Sequence, residues 1–122
     1  VTASSDDTAK IWDAGSGECV RTLQGHQDVI LCSAFSPDGL QVVTTSGDST
    51  AAIWEAGSGE RVRTLEGHQD AVFAAAFSLD GLQVVTASGD RTAKVWDSGS
   101  GQCARTLEGH RDAVRSAAFS PL

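Results

Sequence analysis

The chain repeats itself every 42 residues, and this period constrains its fold more than any other feature. Tryptophan occurs at Trp12, Trp54 and Trp96. At the same spacing, Gly-His pairs occur at 25–26, 67–68 and 109–110, and Arg-Thr-Leu triplets at 21–23, 63–65 and 105–107. The segments 25–66 and 67–108 agree at about two thirds of their positions without a gap. A fixed period of this length is typical of repeat architectures, in which each unit buries its core mainly against its neighbours.

The charge of the chain limits the partners that it can have. The 122 residues include 9 Lys and Arg and 16 Asp and Glu, so the formal net charge at pH 7 is −7. Nucleic acids and anionic membranes attract basic surfaces, and this balance therefore predicts neither of them as a partner. No apolar run approaches the ~18 residues that a membrane-spanning helix needs.

The cysteines predict neither a disulfide framework nor a metal site. Cys19 and Cys103 occupy equivalent positions in the repeat, whereas Cys32 has no cysteine equivalent. An odd number of cysteines at unmatched positions argues against structural disulfides, and free thiols are typical of a reducing compartment. We therefore expect an intracellular, cytoplasmic protein. The spacing of Cys and His does not match that of zinc ligands, so no metal is expected.

Within one repeat, turn residues separate four short segments that have the composition of β-strands. Gly, Asp and Pro form the turns, as in Pro37-Asp38-Gly39, and β-branched residues are frequent between them. No window shows a sustained apolar period of 3.6 residues. The fold class is therefore predicted to be all-β. In the repeat 25–66 the expected strands are 29–36, 40–46, 50–54 and 61–65.

The order of motifs in each repeat resembles the WD-repeat β-propeller family. Gly-His is followed by Ala-Phe-Ser-x-Asp-Gly, then by Gly-Asp-x-Thr-Ala, and then by Trp with Asp or Glu. The resemblance covers the whole chain and implies blades of four antiparallel strands around an axis, with no cofactor. It predicts a partial propeller of three blades in one segment, 1–122. The parts are strands two to four of a split blade (1–24), two whole blades (25–66 and 67–108) and a first strand (109–122).

The resemblance also implies a hydrogen-bond chain of His, Thr or Ser, Asp and Trp in each blade. A buried indole N–H needs an acceptor, and a buried imidazole needs partners for both nitrogens. Ser46 and Ser88 share a strand face with the threonines and stay as alternatives to them. By position, the complete sets are His26, Thr44, Asp48 and Trp54 in one blade and His68, Thr86, Asp90 and Trp96 in the next.

A third set is divided between the two ends of the chain. Thr2, Asp6 and Trp12 match the last three members, and His110 matches the first. We therefore expect the segment 113–120 to form a first strand that completes the blade of residues 1–23. The two ends would then share a blade and be suited to velcro-type closure. Three full repeats would need four more residues, equivalent to 39–42, and Leu122 departs from the repeat because it aligns with Asp38.

Three blades are too few to close a propeller, which typically has four to eight. Two interpretations stay open. In the first, copies of the chain assemble head to tail as a homo-oligomer, with six blades from two copies or nine from three. In the second, the chain is an excerpt of a longer propeller. The complementary ends favour assembly, whereas the absence of methionine and the start at Val1 inside an expected strand favour an excerpt.

Three function classes are considered. The recurring His, Asp and Thr residues suggest a hydrolase, but a copy in every blade and the absence of a strained nucleophile turn argue against an enzyme. By analogy with the fold, a non-catalytic scaffold for protein–protein interaction fits better. The alternative is a structural or engineered self-assembling building block with no partner of its own. The Gly-Ser-Gly turns lack the lysine and the helix of a phosphate loop.

Candidate partner-binding residues are positions where the repeats differ in bulk or charge. Aromatic and arginine side chains, which are enriched at binding hot spots, occur among them. The expected partners are other propeller blades and an unidentified protein or peptide on the propeller face. Drift, or packing near the axis, is the competing explanation for the variation. The positions are Leu31, Phe73 and Arg115, which are equivalent, and Gln27, Gln69 and Arg111, which are also equivalent.

Overall fold

The computed structural model describes residues 1–121, and its strands follow the repeat. Leu122 lies outside the described residues. Eleven strands and no helix occur between residues 1 and 121. The strands are β1 (Thr2–Ala3), β2 (Thr8–Trp12), β3 (Cys19–Gln24), β4 (Ile30–Phe35), β5 (Gln41–Ser46), β6 (Ala51–Glu55), β7 (Arg61–Leu65), β8 (Val72–Phe77), β9 (Gln83–Ser88), β10 (Ala93–Asp97) and β11 (Cys103–Leu107).

The strands form three antiparallel sheets in which sequence neighbours are also spatial neighbours. The first sheet contains β1 to β3, the second β4 to β7 and the third β8 to β11. β-branched residues lie opposite each other in the central strands, as Val43 does with Ile53 and Val85 with Val95. Such pairs suit a pleated surface that is covered on both sides. The expected fold class, an all-β partial propeller of about three blades, is confirmed.

The hydrophobic core lies between the sheets. One face of the first sheet, with Ala9, Ile11 and Leu23, packs against Val42 and Trp54 of the second. The opposite face of the second sheet packs against the third in the same way. That contact buries Val43, Ala51, Ile53, Leu65, Ala75, Val84 and Trp96. Each sheet therefore depends on its neighbours for burial, as the period predicts.

An arginine on the outer strand of one sheet ties it to the next. The Nε and Nη2 atoms of Arg21 on β3 donate to the carbonyl oxygen of Gly57 over 3.0 and 2.6 Å. Arg63 on β7 makes the same two bonds to the carbonyl oxygen of Gly99. Both glycines lie in the turn between the third and fourth strands of their sheets. Because the guanidinium is a rigid fork of donors, the contact sets the position of one sheet relative to the next.

The segment 113–120, which was expected to be a first strand, has no strand in the structure. The N–H of Val114 donates to the carbonyl oxygen of Ser88 in the third sheet over 2.9 Å. Val114 is buried there against Ala87 and Ala93. The segment does not pair with β1, and the first sheet has three strands. A strand needs a partner edge, and no edge pairs with this segment here, so the first strand of the split blade stays a prediction.

A buried hydroxyl without a partner lies at the centre of the second sheet. Thr45 on β5 is 0 % exposed, and its Oγ1 makes no hydrogen bond to any described residue. The equivalent residues in the other repeats are Ala3 and Ala87. A buried polar atom without a bond costs about 1–3 kcal/mol. This hydroxyl therefore lowers the stability of the sheet.

We expect Thr45→Val to raise the free energy of unfolding by about 1 kcal/mol, because valine keeps the shape and removes the unbonded oxygen. Urea denaturation at pH 7 measures the change. The neighbouring Thr44→Val is the matched control and should lower stability by about 2 kcal/mol, since the Thr44 hydroxyl is hydrogen-bonded. Equal effects of the two variants would contradict this account.

Candidate functional site

A chain of hydrogen-bonded side chains runs through the second sheet, from the loop before β4 to β5 and β6. His26 precedes β4, Thr44 lies on β5, Asp48 lies in the turn after β5, and Trp54 lies on β6. The indole N–H of Trp54 donates to Thr44 Oγ1 over 2.8 Å. His26 Nε2 is 2.7 Å from the same oxygen, and His26 Nδ1 is 3.0 Å from Oδ2 of Asp48. The structure therefore brings all four residues of this set together.

The third sheet contains the same chain. Trp96 Nε1 donates to Thr86 Oγ1 over 2.9 Å, and His68 Nε2 lies 2.7 Å from that oxygen. His68 Nδ1 is 2.8 Å from Oδ2 of Asp90. The imidazole and indole rings meet edge to face, with centroids 6.1 Å apart. Two repeats thus hold the same polar chain at nearly the same distances.

The serine alternatives to the threonines have a different role. Ser46 Oγ donates to the carbonyl oxygen of Asp28 over 3.0 Å, and Ser88 Oγ donates to that of Asp70 over 3.1 Å. These bonds tie the end of the second strand to the loop before the first. The serines contact neither the histidine nor the tryptophan, so the structure places the threonines in the chain.

The hydrogen bonds of His68 are compatible with a neutral imidazole. Trp96 Nε1–H can only donate, so it occupies one acceptor site of Thr86 Oγ1. With His68 neutral, the Thr86 hydroxyl donates to His68 Nε2, and His68 Nδ1–H donates to Asp90. Burial lowers the pKa of His68, and the hydrogen bond and charge of Asp90 oppose this shift without cancelling it. The lowered pKa agrees with a neutral imidazole as the link between Thr86 and Asp90.

The aspartate at the end of the chain is held as an anion. Burial would raise the pKa of Asp48, but hydrogen bonds from the Thr50 hydroxyl, the Gln27 N–H and His26 outweigh it and lower the pKa to about 2. The Thr50 hydroxyl is 2.6 Å from Asp48 Oδ1. The pKa of Asp90 is lowered by the corresponding bonds, again against the effect of burial. A carboxylate with several donors remains ionised at neutral pH.

Two threonines of this site were missed by the sequence analysis. Thr50 Oγ1 lies 3.4 Å from His26 Nδ1 as well as donating to Asp48, and Thr92 occupies the same position beside His68 and Asp90. The signal was the spacing Asp-x-Thr, which recurs in every repeat. This spacing lets the aspartate accept both the N–H and the hydroxyl of the residue two positions later.

The first sheet holds only part of the chain. Trp12 Nε1 donates to Thr2 Oγ1 over 2.8 Å, and Asp6 accepts the hydroxyl of Thr8 over 2.6 Å. No histidine lies between Thr2 and Asp6. His110, the residue expected there, is exposed and makes no hydrogen bond to the rest of residues 1–121. Trp12 is 42 % exposed, whereas Trp54 and Trp96 are buried.

Each sheet also places one cation beside the tryptophan face, but from different strands. Lys94 on β10 donates to Thr106 Oγ1 over 2.9 Å, and Lys10 on β2 makes the same bond in the first sheet. The second sheet has Ala52 at this position, and Arg61 on β7 reaches the equivalent threonine instead. Arg61 Cζ also lies 5.1 Å from the Trp54 ring centroid. A cation thus contacts the equivalent threonine in each sheet, although it is a lysine on β2 or β10 in two sheets and an arginine on β7 in the other.

We call β4 and β8, the first strands of the second and third sheets, the inner strands. Each carries a variable residue at a β-bulge. The ladder between β4 and β5 skips Leu31, and the ladder between β8 and β9 skips Phe73. A bulge bends a strand and re-aims the extra side chain. Leu31 is 39 % exposed, and the guanidinium carbon of Arg115 lies 5.3 Å from the Phe73 ring centroid. We call Leu31, Phe73 and Arg115 the inner-strand row.

The loops before the inner strands give the same end of the molecule a mixture of charges. Gln27, Gln69 and Arg111 are exposed. The residues after them are aspartates whose Oδ1 accepts the next backbone N–H at 2.7–2.8 Å. Two arginines, Arg111 and Arg115, therefore lie among carboxylates that are already hydrogen-bonded. Phe73 and Arg115 are in direct contact in the structure. Of the other variable residues, Leu31 lies at the β4 bulge, and Gln27, Gln69 and Arg111 lie in the loops described here.

The buried chain is poorly arranged for chemistry. Thr44 Oγ1 is buried between an imidazole and an indole, so a substrate carbonyl could not approach it without displacing the Trp54 N–H. Residues 1–121 contain no group of His, Cys, Asp and Glu that could hold a metal ion. No helix in the same stretch could span a bilayer. The geometry favours a structural role for this chain, and the inner-strand row is the better candidate for binding.

We expect His68→Ala to lower the free energy of unfolding by about 2–4 kcal/mol, because it leaves a cavity and removes the imidazole partner of buried Thr86 and of partly buried Asp90. Urea denaturation of the dilute protein measures the loss. His110→Ala removes an exposed histidine at the equivalent position and should change the stability of the single chain little. A His68→Ala variant as stable as the parent would refute the role assigned to the chain.

We also expect the free energy of unfolding to decrease over two ranges of acid pH. The pKa values of His68, Asp48 and Asp90 are lowered by folding, so the unfolded chain binds protons more readily. The contribution of His68 is complete above its ordinary value of 6.5 and declines below it. The contributions of the two aspartates are complete above 3.8 and are lost as the pH falls towards 2.

Urea denaturation at a series of pH values from 7 to 3 measures this dependence. The double variant Asp48→Asn, Asp90→Asn should be less stable at pH 7 but lose less stability between pH 5 and 3. A profile as steep as that of the parent would contradict the assignment.

The comparisons with known proteins identify the repeat. The family model for the WD domain, G-beta repeat, matches residues 17–55, 59–97 and 101–122. Each match begins at a glycine before an outer strand. The first covers β3 to β6 and the second β7 to β10, so the sequence unit extends over two sheets. This offset links neighbouring sheets through the chain itself.

Individual relatives match about one repeat. Ribosome assembly protein 4 of Saccharomyces cerevisiae is 43 % identical over 44 residues, which is 36 % of this chain and 8 % of that protein. Nuclear distribution protein PAC1 of Mycosarcoma maydis is 44 % identical over 43 residues, 35 % of this chain and 10 % of that protein. WD repeat and SOCS box-containing protein 1 of Danio rerio is 51 % identical over 39 residues, 31 % and 9 % respectively.

The matches therefore span about a tenth of the relatives' length or less. The family is shown by the three repeat matches, which together cover most of the chain. The chain belongs to the WD-repeat family.

Proposed function

We propose that the chain is a non-catalytic scaffold that binds other proteins through the inner-strand row. The observation that carries this proposal is the pair of bulges at Leu31 and Phe73. They present residues that differ between repeats from strands whose ladders and bulges are the same in the two sheets. Function on such scaffolds typically lies at variable positions held by rigid elements.

The row has the chemistry of a protein-binding surface. Phe73 supplies an aromatic surface, and Arg115 is stacked on it at 5.3 Å. Arg111 adds a second exposed cation at the same end of the molecule. Aromatic and arginine side chains dominate binding hot spots. This composition favours a peptide segment that combines an apolar side chain with a neighbouring carboxylate.

The names of the relatives agree with a role in interaction. One is named as a ribosome assembly protein and another as a nuclear distribution protein. These names belong to those proteins, whose full lengths are much greater than the part matched here. They support the class of function, a scaffold, and supply no partner for this chain.

The proposal includes a larger ring of WD blades. Trp12 on the first sheet and Leu107 on the third are about half exposed, and both belong to faces that are buried at the other sheet contacts. Further blades would cover them, either from another copy of the chain or from a longer polypeptide. The three cysteines are free, which supports a reducing compartment such as the cytoplasm.

A second candidate function is a self-assembling structural unit without a partner of its own. The exposed Trp12 and Leu107 favour it, since both faces fit other WD sheets. The third candidate, a hydrolase, has no support in the geometry, because the threonine hydroxyls are buried and engaged at both ends. Peptide binding at the inner-strand row separates the scaffold from the purely structural unit.

A random peptide library displayed on phage, selected on the immobilised chain, tests the scaffold proposal. We expect enriched peptides to carry Asp or Glu beside an apolar residue. Phe73→Ala should weaken their binding by about 30-fold, the effect of a hot spot, as measured by fluorescence anisotropy.

Leu79→Ala is the matched control for this test. Leu79 is 70 % exposed in the turn at the other end of the inner strand, so its loss should not affect peptide binding. Absence of selected peptides, or binding that depends on Leu79 and not on Phe73, would overturn the proposal.

A further inference from the structure

We propose that Cys103 and Lys94 form an acylation site on the third sheet, in which the thiol takes a small acyl group from a thioester and passes it to the lysine amine. Cys19 and Lys10 form a second copy of this site on the first sheet. The product is an N-acylated lysine, and the cysteine is regenerated. This modification goes beyond protein binding at the inner-strand row and does not depend on it.

In each site the lysine and the cysteine contact one threonine hydroxyl. Lys94 Nζ donates to Thr106 Oγ1 over 2.9 Å, and Cys103 Sγ lies 3.8 Å from the same oxygen. Because the lysine stem is a flexible four-carbon chain, rotation about its bonds can bring the nitrogen to an acyl group on the sulfur. In the first sheet the same two distances, 3.2 and 3.8 Å, join the corresponding atoms of Lys10, Thr22 and Cys19.

An irregularity in the outer strand places the cysteine on the same face as the threonine. The ladder pairs Lys94 with Thr106 and Trp96 with Cys103, and it skips one residue of the outer strand between these pairs. Residues three positions apart lie on opposite faces of a regular strand, and the skipped residue brings Cys103 onto the face of Thr106. The first sheet has the same irregularity. The backbone therefore holds the thiol and the amine together in both sheets.

The cysteine and the lysine occur together and are absent together. The first and third sheets have both, whereas the second has Arg61 and Ala52 at the two positions. A cation that contacts the threonine explains a lysine or an arginine in each sheet, but it does not explain a cysteine beside each lysine. A guanidinium stays protonated and does not accept an acyl group as an amine does. Both lysines of the chain thus have a thiol beside them, and the sheet without a lysine has none there.

The site on the third sheet is accessible and has room for a small acyl group. Cys103 is exposed, and Lys94 lines a cavity of about 220 Å³ beside the loop that follows β7. In the second sheet the Arg61 guanidinium lies directly against Gly25 of the preceding loop, whereas the smaller cysteine leaves the corresponding space open. The other residues that line the cavity are Gly67, Gln69, Asp90, Thr92, Thr106 and Glu108.

The charge of this cavity favours an uncharged acyl group. Asp90 and Glu108 contribute two carboxylates, and Lys94 contributes one ammonium. Acylation removes the ammonium and leaves both carboxylates. An acyl group with a carboxylate of its own would add a like charge next to them, which is unfavourable. A short neutral acyl group such as acetyl therefore fits the site.

The chemistry consists of two acyl transfers without a redox step. The Cys103 thiol loses its proton, and its sulfur attacks the thioester carbonyl carbon. The carrier thiolate leaves and takes up a proton. The deprotonated Lys94 amine then attacks the same carbon, the carbon–sulfur bond breaks, and the Cys103 thiolate takes up the proton that the nitrogen releases. At neutral pH a thiol is a better nucleophile than a protonated amine, so it captures the acyl group first, and proximity then favours transfer to the lysine.

Incubation of the chain with S-acetyl-N-acetylcysteamine, followed by mass spectrometry of proteolytic fragments, tests the inference. We expect acetylation of Lys94 and Lys10. Cys103→Ser should slow acetylation of Lys94 by about tenfold or more, because intramolecular transfer is lost, and leave that of Lys10 unchanged. Cys19→Ser should have the reverse effect. Each lysine is therefore the control for the other within one molecule.

Two further controls separate the transfer from indirect effects. Cys32→Ser removes the thiol on β4, in the sheet that has no lysine, and should change neither rate. The succinimidyl ester of acetic acid acylates amines directly, so Cys103→Ser should not slow its reaction with Lys94. Far-UV circular dichroism confirms that each variant keeps its sheets. The succinyl thioester should modify Lys94 more slowly than the acetyl thioester, and equal rates would overturn the assignment of a neutral acyl group.

The acyl-cysteine intermediate can be trapped. Lys94→Arg keeps a cation beside Thr106 and removes the acceptor amine, so S-acetylated Cys103 should accumulate and be removed by hydroxylamine. The parent should instead convert it to the amide. Four results would overturn the inference: no acetylation of either lysine, acetylation of Lys94 at the same rate without Cys103, equal losses at both lysines in Cys103→Ser, or no S-acetyl group in Lys94→Arg.

Discussion

The structure depends on a buried series of polar side chains that hydrogen-bond to one another. An indole N–H, a hydroxyl, an imidazole and a carboxylate each lose water when the sheets stack, and each would be costly without a partner. In the second and third sheets every member has one, from Trp54 through Thr44 and His26 to Asp48. The carboxylate lies at the partly exposed end, where it accepts further donors from the turn. Rigidity therefore comes from a network that joins the second and third strands of these two sheets and ties down the loop before the first strand.

Stacking of the sheets supplies the burial that this chain of bonds requires. The core clusters extend over two sheets, and Leu23 and Leu65 are buried together with the tryptophan of the following sheet. Hydrogen bonds from Arg21 to Gly57 and from Arg63 to Gly99 link each sheet to the next. Where a neighbour is missing, as beside Trp12, the same side chains are exposed and the histidine is lost from the network. Packing and hydrogen bonding are thus coupled from sheet to sheet.

The repeat and the turn residues were sufficient to predict the strands. Glycine and proline mark the turns, and the same pattern of turns and strands recurs every 42 residues. The segment 113–120 forms no strand in the structure because strand formation needs a partner edge, a property of tertiary structure. Sequence reasoning placed Thr44 in the hydrogen-bond chain but kept Ser46 as a weaker alternative, because the two share a strand face. It assigned no role to Arg21 or Thr50, although both recur with the period, because their acceptors become visible only when sheets and turns are in place.

Repetition separates what the fold needs from what a binding surface can vary. The cation beside the tryptophan face moves from Lys94 in one sheet to Arg61 in another and still reaches an equivalent threonine, so this difference preserves a structural contact. The change from Leu31 to Phe73 preserves no such contact. It occurs at a bulge, where the ladder does not constrain the side chain and where bulk can change without disturbing the core. A repeat protein can therefore acquire specificity at positions where a change of side chain does not disturb the framework. In this chain Leu31 and Phe73 are such positions, and they lie at one end of the inner strands.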